Sequence, residues 1–194
     1  MIPAYLHDLH LDHVFSSYTN HVDGYLLAST GNEHIVDSET VKISGFVTAT
    51  FGQAEDVALK YFEVKNPSRK PYCLFQIDNG AISSATSVKR CDCAIMNPSD
   101  LSFVEFKANA TSSNRKTIKK NYKYAMTQLR TTIDLFKNGL ASLGQSLTTL
   151  RNVEAYVCFR RGYPRLTTSE MNYIVGFAAD TDGIPLSFNP MKTL

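Results

Sequence analysis

The chain has 194 residues, of which 43% are apolar and 20% charged, and its formal net charge is +2. These values are ordinary for a soluble globular protein, and they predict one domain spanning residues 1–194 with a sizeable core. No apolar run approaches the roughly 18 residues of a membrane span, and the start, MIPAYLHDLHLDH, lacks the order of a signal peptide. The expected location is therefore cytoplasmic, without membrane contact.

Charge is unevenly distributed along the chain. Residues 115–165 contain eleven basic residues and only two acidic ones, Asp134 and Glu154, whereas the first 64 residues contain nine acids and two lysines. One side of the molecule is therefore expected to face a polyanion.

The apolar patterns become clear only after the N-terminal third, so residues 1–52 remain an extension of undefined structure and the core is placed at about residues 53–179. Asn138-Gly139 is expected to end a long helix that begins at about residue 114. From residue 72 the order is strand, strand, strand, helix, strand, which predicts a mixed α/β sheet with at least one crossover. The predicted elements are a helix over 3–15, a strand over 41–51, a short helix over 53–62, a loop over 66–71, strands over 72–77, 88–96 and 101–108, a helix over 114–138, a strand over 153–159, a loop over 161–167, a short helix over 168–174 and a strand over 175–179.

The four cysteines lie in apolar runs and are expected to be reduced core thiols of a cytosolic protein. Cys91 and Cys93 are too close in one strand to bridge, and no second Cys/His pair completes a zinc site. The others are Cys73 and Cys158.

Three charged residues interrupt two apolar runs, RCDCAIM and LSFVEFKA, which are separated by the turn sequence NPSD. If NPSD forms a four-residue hairpin loop, Met96 pairs with Leu101, and Asp92 then lies opposite Glu105. Lys107 projects from the same face as Glu105 because side chains alternate along a strand.

Burial of two carboxylates with one ammonium is unfavourable unless the charges are paired or bind a metal. One lysine does not neutralise two carboxylates, so the surplus negative charge favours a bound cation. The alternative is a buried ion pair of Lys107 with Asp92 or Glu105, without a metal.

The pattern Asp92, Glu105-Phe106-Lys107 and a following helix that contains Gln128 resembles the PD-(D/E)XK nuclease superfamily. The resemblance covers about residues 72–160 and implies a restriction-endonuclease-like fold, a mixed β-sheet flanked by helices. It also implies that Asp92, Glu105 and the backbone carbonyl of Phe106 bind Mg²⁺ or Mn²⁺. Lys107 would then act on the attacking water, with Gln128 near the site.

Some positions depart from the family pattern. Cys91 replaces the proline of the family name, and Thr132 stands where some members have a tyrosine after the helix glutamine. The acid that members often carry on an N-terminal helix is not assigned, which leaves the number of metal ions open. The candidates are Glu39, Glu55 and Glu63.

Two weaker patterns compete with this site. Glu63-Val64-Lys65 is a second Glu-x-Lys, with Asp37 or Asp56 as its partner, but no apolar hairpin joins them. His10 and His13, with Asp8 or Asp12 nearby, form a second metal-site candidate, for which an exposed polar helix is the simpler interpretation.

The long helix carries a basic stripe without an acid between Glu105 and Asp134. Solvated helices usually interleave acids for pairing, so this stripe indicates contact with phosphates. Tyr122 and Tyr124 interleave with the lysines, Tyr122 on the apolar stripe, and base stacking is a minor possibility for both. The predicted phosphate-binding residues are Lys89, Arg90, Arg115, Lys116, Lys119, Lys120 and Lys123.

These observations predict a Mg²⁺-dependent endonuclease that acts on DNA in preference to RNA, in defence against foreign DNA or in repair. The alternative is a non-catalytic module of the same fold that binds nucleic acid or protein. A structural protein stabilised by a buried ion cluster is a third interpretation. A homodimer is compatible with the resemblance but is not indicated by the residues.

Overall fold

The computed structural model describes residues 1–37, 49–52, 61–107, 110–160, 163 and 167–194. The predicted strand over 41–51 and helix over 53–62 lie mostly outside these residues, as does most of the loop over 161–167. Where they are described, residues 49–51 are a strand as predicted, whereas Tyr61 and Phe62 begin a strand instead of ending a helix.

The described residues form ten β-strands and four α-helices, with 3₁₀ turns over Ala4–Leu9 and Val22–Tyr25. The strands are β1 Leu26–Ser29, β2 Glu33–Asp37, β3 Ala49–Phe51, β4 Tyr61–Lys65, β5 Tyr72–Gln76, β6 Cys93–Met96, β7 Asp100–Lys107, β8 Asn152–Phe159, β9 Leu186–Ser187 and β10 Met191–Thr193. The helices are α1 Leu11–Val14, α2 Arg115–Ala141, α3 Leu147–Leu150 and α4 Thr167–Asp180.

Two mixed sheets organise the chain into an α/β structure. The larger sheet has the order β1-β5-β6-β7-β8-β9, antiparallel from β1 to β7 and parallel from β7 to β9. The crossover from β7 through α2 to β8 confirms the predicted strand-helix-strand order. The smaller sheet has the order β10-β4-β2-β3.

The larger sheet is covered on both faces, and the six residues of β7 from Leu101 to Phe106 are accordingly all buried. One face carries Phe103 and packs against α2 and the N-terminal segment, where Phe15 contacts Phe136. The other face carries Val104 and Phe106 and packs against Ile35 and Phe62 of the smaller sheet. Since side chains alternate, Glu105 and Lys107 share the face that α2 covers.

Strands from outside residues 53–179 belong to both sheets. β1 forms one edge of the larger sheet and β9 the other, while β2 lies inside the smaller sheet. Leu6 and Leu9 are fully buried in the core. Residues 1–37 and 49–52 are therefore part of the folded structure rather than an appendage to it.

The long helix begins one residue later and ends three residues later than predicted. Asn114 is its N-cap, and the side-chain oxygen accepts hydrogen bonds from the backbone N–H groups of Lys116 and Thr117, at 2.9 and 3.3 Å. Gly139 does not stop the helix. It faces Val14 so closely that a Cβ at this position would lie 2.9 Å from Val14 Cγ2, so this glycine permits helix packing.

Three predicted elements differ in kind or extent. The strand over 88–96 begins only at Cys93, and the helix over 3–15 is interrupted at His10, whose φ of 44° is left-handed. The strand over 175–179 is wrong: these residues continue α4, which ends where the Gly183 N–H donates to Ala178 O at 2.8 Å. The apolar residues of VGFAA fit either period, and length favours the helix.

Candidate metal centre

The hairpin of β6 and β7 has the predicted register. Met96 pairs with Leu101 and Cys93 with Val104, so the register is confirmed, although the loop is shorter than predicted because Asp100 already belongs to β7. Asp92 follows the same register toward Glu105 but lies one residue before β6 begins. Backbone pairing with β7 stops at this point. The Asp92 carboxylate, and not a backbone carbonyl, accepts the next hydrogen bond from β7.

Asp92 is held where three strands meet. Its Oδ2 accepts a hydrogen bond of 2.5 Å from the backbone N–H of Phe106 in β7. Its backbone carbonyl accepts from the N–H groups of Ile77 and Asp78, at 3.0 and 3.1 Å, just beyond β5. The carboxylate is therefore fixed against β7 and is almost fully buried.

Glu105 and Lys107 form an ion pair between Glu105 Oε1 and Lys107 Nζ. The same ammonium donates to Gln128 Oε1 at 2.7 Å, and Gln128 Nε2 donates to the backbone carbonyl of Arg90 at 2.9 Å. The helix glutamine thus connects the lysine to the segment that precedes Asp92. The structure brings together all four residues predicted for the catalytic site.

One oxygen of this cluster is left over. Glu105 Oε2 is buried and has no hydrogen-bond partner among the described residues. Buried polar atoms are nearly always paired in folded proteins, and an unpaired carboxylate oxygen is especially unfavourable.

The electrostatics show that the carboxylates are in excess. Burial, followed by the charge of Glu105, raises the pKa of Asp92 well above its usual range, against the opposing effects of the Phe106 N–H and Lys107. Burial raises the pKa of Glu105 from 4.5 to about 7, although Lys107 opposes this shift. A cation would restore both carboxyl groups to the ionised form.

These side chains lie at the floor of an open cleft of about 520 Å³. Two further acids that sequence reasoning did not assign to the site also line it, Asp37 at the end of β2 and Asp78 beyond β5. Asp37 raises the pKa of Asp92, and Asp78 that of Glu105, by charge repulsion. The position of Asp78 was indicated by the sequence, since Asp78 lies two residues after β5, the strand next to β6. No pattern in the sequence indicated the position of Asp37, because the two sheets bring together segments that are distant in sequence.

A hard divalent cation fits these donors better than zinc does. No group of three or more His, Cys, Asp or Glu side chains is close enough to hold a metal within the described ranges. Asp92 and Glu105 therefore offer two carboxylates, and the Phe106 carbonyl lies on the same strand edge as its N–H, which faces Asp92. Mg²⁺ accepts such a set because it binds one or two carboxylates and keeps several waters.

The basic residues predicted to bind phosphate differ in their surroundings. The five on α2 are exposed, and none forms an ion pair among the residues that the structure describes. Other basic residues of the same stretch are neutralised from elsewhere, Arg130 by Asp180 at 2.6 Å and Lys137 by Asp182 at 2.9 Å.

Lys89 and Arg90 are adjacent in sequence but have different environments. Lys89 Nζ lies 5.5 Å from the ring centroid of Tyr124, a residue that lines the cleft. Arg90 is buried, with Nε donating to Asp78 Oδ1 at 2.6 Å and NH1 donating to the carbonyl of Val88 at 2.8 Å. Arg90 therefore braces the segment before Asp92 and has little surface for a phosphate.

The competing patterns are not assembled into sites among the described residues. Glu63 lies in β4, 3.8 Å from Lys65, and does not line the cleft, while its proposed partner Asp37 does. Glu39, Glu55 and Asp56 lie outside the described residues.

In the N-terminal segment, Asp8 instead pairs with Arg151, with both carboxylate oxygens at 2.7 Å. His13 contacts Ser142 at 2.7 Å. The histidine-based metal site therefore does not form there.

Within the described ranges, no helix combines the length and apolar character needed to cross a membrane. Comparisons with protein-family models, with curated proteins and with solved structures found no match. The site must therefore be interpreted from its own geometry.

Proposed function

We propose that the protein is a Mg²⁺- or Mn²⁺-dependent nuclease of the restriction-endonuclease-like class that hydrolyses phosphodiester bonds, with DNA preferred over RNA. The observation that carries this proposal is the Oε2 atom of Glu105, which has no hydrogen-bond partner among the residues that the structure describes and is buried beside Asp92 at the floor of an open cleft. A cluster that only stabilised the fold would be expected to satisfy that oxygen.

Asp92 and Glu105 are the residues that would hold the ion, together with the backbone carbonyl of Phe106. When bound, the ion would polarise the phosphate and lower the pKa of a water ligand. The protein's own contribution is rigidity: the Phe106 N–H fixes Asp92, and strand alternation fixes Glu105 beside it.

Lys107 is placed to stabilise negative charge that develops on the phosphate and to orient the attacking water. Glu105 and Gln128 hold its ammonium from two elements, β7 and α2. Gln128 is a positioning residue in this scheme, since it contacts Lys107 and the backbone of Arg90.

The exposed face of α2 supports a nucleic acid as the substrate. Thr117, Asn121, Tyr124 and Gln128 line the cleft and recur at helical spacing. At about 100° per residue, Lys120 is the nearest of the five basic residues to this face, and Lys119 is almost opposite to it. A strand that enters the cleft therefore passes Lys120 first, and Lys116 is the next nearest of the five.

Cleavage of plasmid DNA in Mg²⁺ or Mn²⁺ tests the proposal, with linear single strands, branched DNA and RNA as further substrates. Wild-type protein should nick or linearise the plasmid. Lys107→Ala and Glu105→Ala should lower the rate by roughly a hundredfold or more, since each removes a group that stabilises charge in the reaction. Lys65→Ala is the matched control, because it changes the exposed lysine of the second Glu-x-Lys sequence.

Two negative outcomes have different meanings. Binding of nucleic acid and metal without cleavage of any substrate would favour the non-catalytic module. The absence of both cleavage and metal binding, measured by calorimetry, would refute the metal centre itself.

A further inference from the structure

Tyr124 is a large aromatic residue on the cleft-lining face of α2 that the proposed chemistry does not use. It is 48% exposed, whereas its neighbour Tyr122 is fully buried in the core. The Lys107 ammonium lies 4.9 Å from the ring centroid, and the Lys89 ammonium lies 5.5 Å from the same centroid. Both distances are within the range of a cation–π interaction.

We infer that Tyr124 is a positioning residue that holds the catalytic lysine and a second, substrate-binding lysine at the same cleft wall. This inference rests on the proposed nuclease function.

Lys107 is held on three sides. The Glu105 carboxylate and the Gln128 side-chain oxygen accept its hydrogen bonds, and the Tyr124 ring lies under the ammonium. The ring therefore limits the directions in which Lys107 can move away from the carboxylates.

Lys89 depends on the ring more strongly. Within the described part of the chain, Lys89 has no hydrogen bond or ion pair, and its ammonium interacts with the Tyr124 ring. It precedes Arg90, which Asp78 anchors at 2.6 Å, so the backbone beneath Lys89 is fixed while its side chain reaches the ring. Tyr124 thus keeps a second cation near Lys107, suited to the phosphate next to the one that is cleaved.

The contacts with two lysines make base stacking a weaker assignment for this tyrosine. A base that stacked on the ring would compete with the ammonium groups for its faces. The ring serves the phosphate backbone in this arrangement, so no preference for a particular base follows from it.

The test compares Tyr124→Leu, which removes the aromatic face, with Tyr124→Phe, which keeps it and removes only the hydroxyl. Tyr124→Leu should lower kcat/KM by about tenfold, since two contacts of modest strength are lost. Tyr124→Phe should stay within about twofold of the wild type. Metal affinity by calorimetry should not change in either variant, because neither alters Asp92 or Glu105.

Lys89→Ala completes a double-mutant cycle. It should raise KM, and Tyr124→Leu in that background should raise KM no further, because both changes remove the same contact. Equal activity of wild type and Tyr124→Leu, or independent effects of the two changes on KM, would overturn the inference.

A direct measurement separates this inference from the proposed function. In protein labelled with ¹³C at lysine Cε, the peaks of Lys89 and Lys107, assigned with Lys→Arg variants, should be shifted upfield by the ring. The shift should persist in Tyr124→Phe and disappear in Tyr124→Leu. Its absence from the wild type overturns the inference, whereas a missing cleavage activity with the shift present refutes only the nuclease.

Discussion

Replacing Glu105 with glutamine is expected to stabilise the metal-free protein at pH 8 and to change it little at pH 5. Burial raises the pKa of Glu105 from 4.5 to about 7. Between pH 4.5 and about pH 7, the folded chain keeps a proton on Glu105 that the unfolded chain has released. The stability of the metal-free protein therefore falls as the pH rises through this window, and glutamine, which stays neutral, removes that loss.

The magnitude follows from the interval between the two pKa values. The rise from 4.5 to about 7 corresponds to about 3 kcal/mol at pH 8, at roughly 1.4 kcal/mol per pH unit. At pH 5 the same relation gives less than about 1 kcal/mol. For a chain of this length, about 3 kcal/mol raises Tm by roughly 6–12 °C.

Urea and thermal unfolding of EDTA-treated protein, followed by circular dichroism at both pH values, measure the effect. Glu63→Gln is the control, because this glutamate is partly exposed and 3.8 Å from Lys65, and its replacement should change stability by less than about 0.5 kcal/mol. An equal effect of Glu105→Gln at pH 5 and pH 8, or no gain at pH 8, would refute the reasoning.

Added metal should largely cancel the stability difference at pH 8. Mg²⁺ or Mn²⁺ at a hundredfold excess over its Kd should stabilise the folded wild type by about 2.7 kcal/mol, whereas the glutamine variant should gain much less. Equal gains for both proteins would show that the ion binds elsewhere.

Three other outcomes are expected. Lys120→Glu should weaken DNA binding and reduce the salt dependence by about one phosphate contact, more than Lys119→Glu does, as measured by fluorescence anisotropy from 50 to 200 mM salt. Thr132→Val removes the hydroxyl that accepts a hydrogen bond of 2.8 Å from the buried backbone N–H of Cys91. This change should lower the free energy of unfolding by about 1–3 kcal/mol. Gly80→Ala should destabilise the fold by about 1–3 kcal/mol, because the added Cβ would lie 2.3 Å from the backbone oxygen of Gln76. Gly176→Ala in α4 should instead stabilise the fold by about 0.5–1 kcal/mol, because its Cβ would meet no atom within 4 Å. Similar effects of the two glycine changes in urea unfolding would contradict this expectation.

The hairpin was predictable because its determinants are local. A four-residue turn and two alternating apolar runs fix the register, and the register alone places Glu105 and Lys107 on one face and directs Asp92 toward Glu105. The long helix was predictable from its apolar period, and its spacing from β7 brings Gln128 to the site.

The rest of the site depends on contacts between distant segments. Asp37 reaches the cleft only because the smaller sheet packs on the larger one. Arg90 is buried by Asp78, twelve residues earlier, although its position beside Asp92 suggested a phosphate contact. The charge of residues 115–165 was also overstated for the same reason, since Asp180 and Asp8 neutralise Arg130 and Arg151 from outside that stretch.

The ion pair of Lys107 with Glu105 is also what a purely structural cluster would contain, so only the charges that remain favour a metal. Lys107 neutralises Glu105, and Arg90 pairs with Asp78, but Asp92 is buried against the repulsion of both Glu105 and Asp37. A structural cluster gains little from such an arrangement, because apolar residues of the same size stabilise a core as well or better. A site that binds a divalent cation requires such an excess of carboxylates, since the ion would neutralise the surplus negative charge and supply a partner for Glu105 Oε2.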